Sequence, residues 1–133
     1  QRTTALVTGG ARRVGRAIAL GLAEAGCDLV IHFGSGVEEA AATAAEARAL
    51  GVRAVTVGAD LADPAAPARL VAAVGALAPV RVLVNSAAVS PDDDLSGITP
   101  ERWDRTLAVN LRAVFVATQA AVRERLQPRT GRS

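Results

Sequence analysis

The stretch Leu6-Val7-Thr8-Gly9-Gly10-Ala11-Arg12-Arg13-Val14-Gly15-Arg16-Ala17-Ile18-Ala19 decides the fold. It begins as a buried β-strand, turns at glycines and continues as a helix with apolar residues at helical spacing. A helix that starts here directs backbone N–H groups and a positive dipole end toward an anion. The stretch therefore predicts a phosphate-binding loop, although glycines at this turn are also compatible with a tight turn that binds nothing.

Strands and helices alternate along the rest of the chain. This order predicts an α/β fold, a Rossmann-like doubly wound parallel sheet with helices on both faces, in one domain over residues 1–133. On the first helix, Val14, Ile18 and Leu22 share one face and are expected to be buried. The predicted strands are Thr4–Thr8, Asp28–Phe33, Arg53–Gly58 and Val80–Asn85. The predicted helices are Arg13–Ala25, Val37–Leu50, one that Asp63 caps and that runs to about Ala78, and one from Thr99 to about Leu126 with a break near Asn110.

Composition excludes several classes of function. All 15 basic residues are arginine, the net charge is only +2, and only three residues are aromatic, so clustered charge with stacking aromatics is lacking and we expect no nucleic-acid partner. Cys27 is the single cysteine, and the consecutive acidic residues at 92–94 suit a solvated loop tip, so we expect no metal. We find no signal peptide and no apolar run that could span a bilayer, so we expect no membrane partner and a cytoplasmic location. Because the first residue is Gln1 rather than methionine, we expect that residues precede it.

The second strand carries the information on the cofactor. A protein that prefers NAD has an acidic residue near the end of this strand, which binds the ribose 2′-hydroxyl. Here the segment is His32-Phe33-Gly34-Ser35, without a carboxylate, and Arg12 and Arg13 add positive charge at the helix start. A 2′-phosphate is the better match, so we expect NADP(H). His32 is either a half-buried strand histidine or a residue that touches the cofactor.

Four further candidates lie later in the chain. Asp60 follows the third strand and is either a turn residue or an acceptor for an adenine amino group. The small residues of Asn85-Ser86-Ala87-Ala88 allow a flat ring to approach the backbone. Asn110 lies within a helix, where asparagine is unfavourable unless its side chain has a specific partner. Trp103 is expected to be a packing anchor.

Together these residues resemble the short-chain dehydrogenase/reductase family over essentially the whole chain. The family motif T-G-x-x-x-G-x-G is present as Thr8 to Gly15, with Arg13 in place of the middle glycine. Asp60-Leu61 resembles the adenine-contacting pair, 85–88 resembles the N-N-A-G segment, and Asn110 matches the asparagine of the Asn-Ser-Tyr-Lys tetrad. The resemblance implies that Asn110 is catalytic and that the cofactor contacts Gly9, Arg12, Arg13, Val14, Gly15, His32, Phe33, Ser35, Asp60, Leu61, Asn85 and Ala87.

The resemblance also limits the substrate and the reaction. The segment Ala11–Gly15 and the pair His32-Phe33 are similar to pteridine reductases, but Ser90 stands where those enzymes commonly stack an aromatic ring. We therefore expect an NADPH-dependent reductase of a carbonyl or a pteridine-like C=N substrate.

The resemblance implies that a homo-oligomer, a dimer or a tetramer, is formed. It also implies that the catalytic serine, tyrosine and lysine lie beyond Ser133. Asn110 would then position a water in the proton relay that the tyrosine begins. Without a fifth strand, Val80–Asn85 is an apolar sheet edge, which predicts poor solubility or self-pairing. The alternatives are a non-catalytic NADP(H)-binding module and a flavodoxin-like domain.

Overall fold

The computed structural model describes residues 2–126. Its four strands form a parallel sheet in the order β3-β2-β1-β4. The strands are β1 (Thr4–Thr8), β2 (Asp28–Phe33), β3 (Ala54–Gly58) and β4 (Val80–Asn85). Strand β1 is central and buried along its whole length. Its two neighbours, β2 and β4, lead onward to opposite sides of the sheet, so the strand order reverses at β1 and β4. Ligands of such sheets bind at this reversal, beyond the carboxyl ends of the strands.

Helices cover both faces of the sheet, as the alternation of elements predicts. Helices α1 (Arg13–Glu24) and α2 (Val37–Ala49) pack on one face. Helices α3 (Ala66–Leu77) and α5 (Ala113–Leu126) pack on the other, and α4 (Pro100–Leu107) leads into α5 through a π-helical segment, Ala108–Arg112. The predicted doubly wound α/β fold is therefore confirmed.

The two faces have cores of different chemistry. On the side of α1 and α2, the helices contribute mainly buried alanines, and the strands contribute Ala5, Val7, Leu29 and Ile31. On the side of α3 and α5, Leu70, Val71 and Val74 pack against Leu6 and Val30. Small side chains allow α1 and α2 to approach the sheet closely, whereas on the second face α3 contributes branched side chains and α5 contributes Ala113 and Ala117.

The buried face of α1 is not the predicted one. Gly15, Ala19 and Ala23 are buried, whereas Val14 is 68% exposed and Ile18 and Leu22 are only half-buried. The periodicity of the large apolar residues was misleading, because close packing against the sheet selects the smallest residues of the helix. Trp103, predicted to be a packing anchor, is also exposed, at 58%.

Helix α3 begins two residues later than the Asp63 cap predicts, at Ala66 instead of Pro64. The Asp63 carboxylate instead accepts a hydrogen bond from the Ala65 N–H at 3.0 Å, which stabilises a turn before the helix. The helix then starts at Ala66, with Pro67 in its first turn. The predicted break near Asn110 corresponds to the π-helical segment, and the other predicted boundaries agree with the structure to within about one residue.

Candidate functional site

A cleft of about 720 Å³ lies at the carboxyl ends of the strands. It is formed by the loops that follow β1, β2, β3 and β4, and α4 borders it. Of the thirteen residues predicted for the site, eleven line this cleft: Gly9, Arg12, Arg13, Val14, Gly15, His32, Phe33, Ser35, Asp60, Leu61 and Ala87. Asn85 and Asn110 lie outside its lining.

The loop after β1 requires glycine at two positions. Gly9 has φ +61°, and a Cβ there would lie 2.7 Å from the Ala87 Cα. A Cβ on Gly15 would lie 2.0 Å from the Gly9 carbonyl oxygen, so the first turn of α1 packs directly on the loop. The two glycines therefore leave bare backbone at the start of a helix, where N–H groups lack partners within the helix.

Arg13 adopts a left-handed conformation, with φ +52°. It is the one non-glycine residue of the described chain with a positive φ. Arg13 stands at the position of the middle glycine of the motif, and its φ lies in the region that glycine adopts freely. That conformation costs a residue with a Cβ about 1–2 kcal/mol.

Arg12 reaches across the cleft to the loop after β2. Its Nη2 donates to the Ser35 Oγ at 2.8 Å and to the Ser35 carbonyl oxygen at 3.2 Å. Its Nε lies 3.0 Å from the Oε2 of Glu39, in the first turn of α2. The sequence shows no carboxylate at the end of β2, but the turn of the chain at Gly36 brings Glu39 back to that point.

His32 is buried beneath the cleft and joins two of its loops. Its Nδ1 accepts a hydrogen bond from the Gly9 N–H at 3.1 Å, so its Nε2 carries the proton and donates to the Ala59 carbonyl oxygen at 2.9 Å. Burial lowers the pKa of the His32 imidazole, and the bond to Ala59 opposes this shift. Both ring nitrogens form hydrogen bonds with backbone groups, so the ring holds the two loops in place. Contact between His32 and a cofactor stays a prediction.

Asp60 is held by Arg105 of α4, a residue that the sequence does not point to. The guanidinium donates two parallel hydrogen bonds of 3.2 Å to the two carboxylate oxygens. This contact is the main reason that the pKa of Asp60 lies below its usual value, and the hydrogen bond from the Ala62 N–H lowers the pKa further. Both side chains line the cleft, and no local signal in the sequence joins positions 45 residues apart.

The loop after β4 is tied to β1 by Thr8. The Thr8 Oγ1 accepts hydrogen bonds of 3.1 Å from the N–H groups of Ser86 and Ala87, which brings the loop against Gly9. Asn85 faces away from the cleft, because its Nδ2 donates to Thr118 Oγ1 of α5 at 3.1 Å. Ala87 therefore lies at the predicted place, whereas the Asn85 side chain points to α5.

Asn110 binds the same loop from the π-helical segment. Its Oδ1 accepts from the Val89 N–H and its Nδ2 donates to the Val89 carbonyl oxygen, both at 2.8 Å. Val89 lines the cleft and Asn110 does not, so the amide fixes the wall of the cleft from behind. The expected partner for an asparagine within a helix is thus a backbone segment. Its catalytic role stays a prediction.

The acidic run at 92–94 is not the uniformly solvated loop tip that the sequence predicts, because the Asp93 side chain is only 9% exposed. Asp93 pairs with Arg102 of α4, and the Asp94 carboxylate accepts from Ser96 Oγ at 3.0 Å and from the Gly97 N–H at 2.6 Å. Within residues 2–126, no group of three or more His, Cys, Asp or Glu side chains is arranged to hold a metal ion. Over the same residues, no helix has the length and apolarity that crossing a bilayer requires.

A family model described as short chain dehydrogenase matches residues 3–132. The chain belongs to this family. The predicted family resemblance is thereby confirmed. Among curated short-chain dehydrogenases, the 3-oxoacyl-[acyl-carrier-protein] reductase FabG of Staphylococcus aureus is 35% identical over 129 residues, which are 96% of this chain and 52% of that protein. The chain thus spans about half the length of the curated relatives it matches.

Solved structures of short-chain dehydrogenases have the same fold. A 3-oxoacyl (acyl-carrier-protein) reductase from Agrobacterium tumefaciens, with NADP bound, superimposes with a TM-score of 0.85 at 36% identity, covering 92% of this chain and 47% of that one. A short-chain dehydrogenase from Burkholderia cenocepacia, in complex with NADP, has a TM-score of 0.86 at 44% identity, covering 91% and 50%.

Proposed function

We propose that this chain is the NADP(H)-binding part of an oxidoreductase that transfers hydride to a carbonyl or a pteridine-like C=N group. The observation that carries the proposal is the loop after β1, where Gly9 and Gly15 leave no room for a Cβ beside Arg12 and Arg13. Bare backbone at a helix start and two guanidinium groups suit a phosphorylated ligand. Two related solved structures with NADP bound, at 36% and 44% identity, support the same cofactor.

The residues of the cleft fit a dinucleotide with a 2′-phosphate. Arg12 and Ser35 stand where the ribose phosphate is expected, the bare loop at Gly9 would face the pyrophosphate, and Asp60 offers an acceptor to the adenine amino group. When bound, the cofactor supplies a hydride to an electrophilic carbon of the substrate. The contribution of this chain is to hold and orient: His32 fixes the phosphate loop, and Asn110 fixes the loop at Val89.

Replacing Arg12 tests the cofactor assignment. We expect Arg12→Ala to weaken NADPH binding by about tenfold and NADH binding much less, because a charge-assisted contact with the 2′-phosphate is lost. Calorimetric titration of both dinucleotides into the 133-residue chain measures this. Arg16→Ala is the matched control, because Arg16 pairs with Glu46 and does not line the cleft. Equal losses for NADPH and NADH would contradict the assignment.

Proton transfer to the substrate is proposed to need residues from outside this chain. The sequence contains no tyrosine and no lysine, and the family mechanism uses both. We propose that Asn110 then positions a water for the proton relay, while 3-oxoacyl thioesters and dihydropterins are the substrates to compare. NADPH consumption with each substrate, by a longer polypeptide that continues this chain beyond residue 133, tests the reaction and its specificity.

A second candidate is a non-catalytic NADP(H)-binding module, which would need neither a tyrosine nor a lysine. Tight binding of NADPH without consumption of any carbonyl or pterin by the longer polypeptide would favour this candidate. Turnover of either substrate would exclude it.

We further propose a cytoplasmic homo-oligomer. Support for assembly comes from an apolar stripe, defined as Trp103, Leu107, Leu111 and Phe115, which lie four residues apart along α4 and the segments that follow it. All four side chains are exposed, Leu111 and Phe115 by more than 60%. A stripe of this kind is typical of a surface that another helix covers.

A further inference from the structure

Arg12 and Glu39 form an ion pair at the mouth of the cleft. The Arg12 Nε lies 3.0 Å from the Glu39 Oε2, and each side chain is about half exposed. The turn at Gly36, with φ +83°, lets both side chains lie across it, since a Cβ there would be 3.2 Å from Arg12 Nη2 and from Glu39 Oε1. Glu39 is thus a fixed negative charge beside the arginine proposed to bind a phosphate.

We infer that Glu39 is a specificity-determining residue: acting through Arg12, its carboxylate lowers the preference of the cleft for NADPH over NADH. The inference rests on the proposed NADP(H) function and adds a feature to it. Without a 2′-phosphate, the carboxylate neutralises the guanidinium. A bound 2′-phosphate would bring two further negative charges next to Glu39, and this repulsion offsets part of the attraction of Arg12.

The geometry explains why the effect falls on one dinucleotide. Glu39 does not line the cleft, and it meets the cleft through Arg12, which does. The Nη2 of Arg12 is engaged by Ser35 and its Nε by Glu39, whereas its Nη1 has no hydrogen bond among the described residues. The free Nη1 donors remain available to a phosphate. NADH lacks the phosphate, so its affinity should be insensitive to Glu39.

The first turn of α2 offers a matched control. Glu38 is adjacent to Glu39, carries the same charge and has the same favourable position at the start of a helix, but it makes no ion pair in the described chain. Glu38→Gln and Glu39→Gln therefore change the net charge and the helix-dipole interaction equally. They differ in the contact with Arg12.

The test is calorimetric titration of NADPH, NADH and adenosine 2′,5′-bisphosphate into the 133-residue chain and its variants. We expect Glu39→Gln to raise the affinity for NADPH and for the bisphosphate by about three- to tenfold and to change the affinity for NADH by less than about twofold. Glu38→Gln should leave all three affinities unchanged. The gain should shrink at 1 M salt, where the screening length falls to about 3 Å. When Arg12 is already replaced by alanine, Glu39→Gln should raise the affinity for NADPH far less than it does in the chain that keeps Arg12.

Three results would decide against these ideas. Unchanged or weakened NADPH binding in Glu39→Gln, with the wild-type chain binding normally, would overturn the role of Glu39 and leave the proposed function standing. An equal gain in Glu38→Gln would also overturn it, since net charge would then be the cause. Failure of the wild-type chain and all variants to bind NADPH, NADH or the bisphosphate would overturn the proposed function itself.

Discussion

Individual side chains of this cleft act mainly by holding backbone in place. His32 shows this most directly, because one ring connects the loop after β1 with the loop after β3 through Gly9 and Ala59. The connection requires the neutral imidazole. A proton on Nδ1 would remove the acceptor for the Gly9 N–H and leave a buried charge.

We expect His32 to make stability depend on pH. Since burial lowers its pKa in the folded chain below the ordinary value of 6.5, the unfolded chain binds the proton more readily. The contribution of His32 is therefore fully present above about pH 6.5 and is lost as the pH falls toward its folded-state pKa. Urea unfolding of wild type and His32→Gln at several pH values measures this.

At pH 8 the His32→Gln variant should be less stable by about 1–3 kcal/mol, because the buried backbone groups lose well-placed partners. The difference between the two proteins should narrow as the pH is lowered from 7 to 5. Parallel stability curves over that range would show that His32 does not titrate with unfolding.

Arg13 should carry measurable strain. Its φ of +52° suits glycine or asparagine, so Arg13→Asn and Arg13→Gly should each be more stable than Arg13→Ala by about 0.5–1 kcal/mol. Alanine is the matched control, because it removes the charge and keeps the Cβ without the tolerance of asparagine. Chemical denaturation of the three variants provides the comparison. Equal stabilities would mean that the backbone relaxes when the arginine is replaced.

At the scale of elements, the π-helical segment joins the cleft to the helices. It carries Asn110, whose amide makes paired hydrogen bonds to Val89. Neither group of Val89 is bonded within a strand or helix, so the amide replaces a secondary-structure contact. The loop after β4 is therefore held on two sides, by Thr8 and by Asn110.

Removing this amide should loosen the loop without unfolding the sheet. We expect Asn110→Ala to raise the hydrogen-exchange rate of the Val89 amide by about tenfold and to lower stability by about 1 kcal/mol. Asn110→Asp is the control, because it keeps the acceptor for the Val89 N–H and loses only the donor. If Val89 exchanges equally slowly in all three proteins, the bonds to Asn110 are not what orders the loop.

Elements with a strong local signal were predictable from the sequence. The strands are short apolar runs, so their limits agree with the structure, and an asparagine within a helix correctly indicated the break at Asn110. The buried face of α1 was not predictable, because packing on the sheet favours Ala19 over the larger Ile18. The start of α3 was missed since the Asp63 carboxylate caps a preceding turn.

The site could be predicted where its residues follow strands directly. Gly9, Ser35, Asp60 and Ala87 reach the same cleft because parallel strands end at one edge. Glu39 and Arg105 could not be, because they arrive from helices and their partners lie 27 and 45 residues away. Such contacts depend on how helices are seated on the sheet.

At the scale of the whole molecule, two apolar surfaces are open in the described chain. One is the stripe along α4 and the segments after it. The other is β4, which forms one edge of the described sheet and has half-buried Val82, Leu83 and Val84. The stripe suits a helix-to-helix contact between two copies, which gives an oligomer of fixed size. An exposed strand edge instead allows open-ended association with further chains.

We therefore expect the 133-residue chain to associate in two ways. Analytical ultracentrifugation should show species above 13.5 kDa. Phe115→Arg should remove an oligomer of fixed size. Leu83→Lys should reduce the formation of species whose size keeps rising with concentration. Leu95→Lys, at a loop position that is 95% exposed, is the matched control for added charge. A monomer at all concentrations, or an equal effect of Leu95→Lys, would contradict this.

Because the cores on the two faces of the sheet differ, substitutions on the two faces are expected to destabilise the chain in different ways. Under α1 and α2, buried positions such as Ala19, Ala44 and Ala47 have only a methyl group to lose, so every substitution other than glycine enlarges the side chain and forces the helix outward. Under α3, Leu70, Val71 and Val74 can be replaced by smaller residues, and such a replacement leaves a cavity. Substitutions in this chain are thus expected to destabilise mainly by added volume under α1 and α2 and by lost volume under α3.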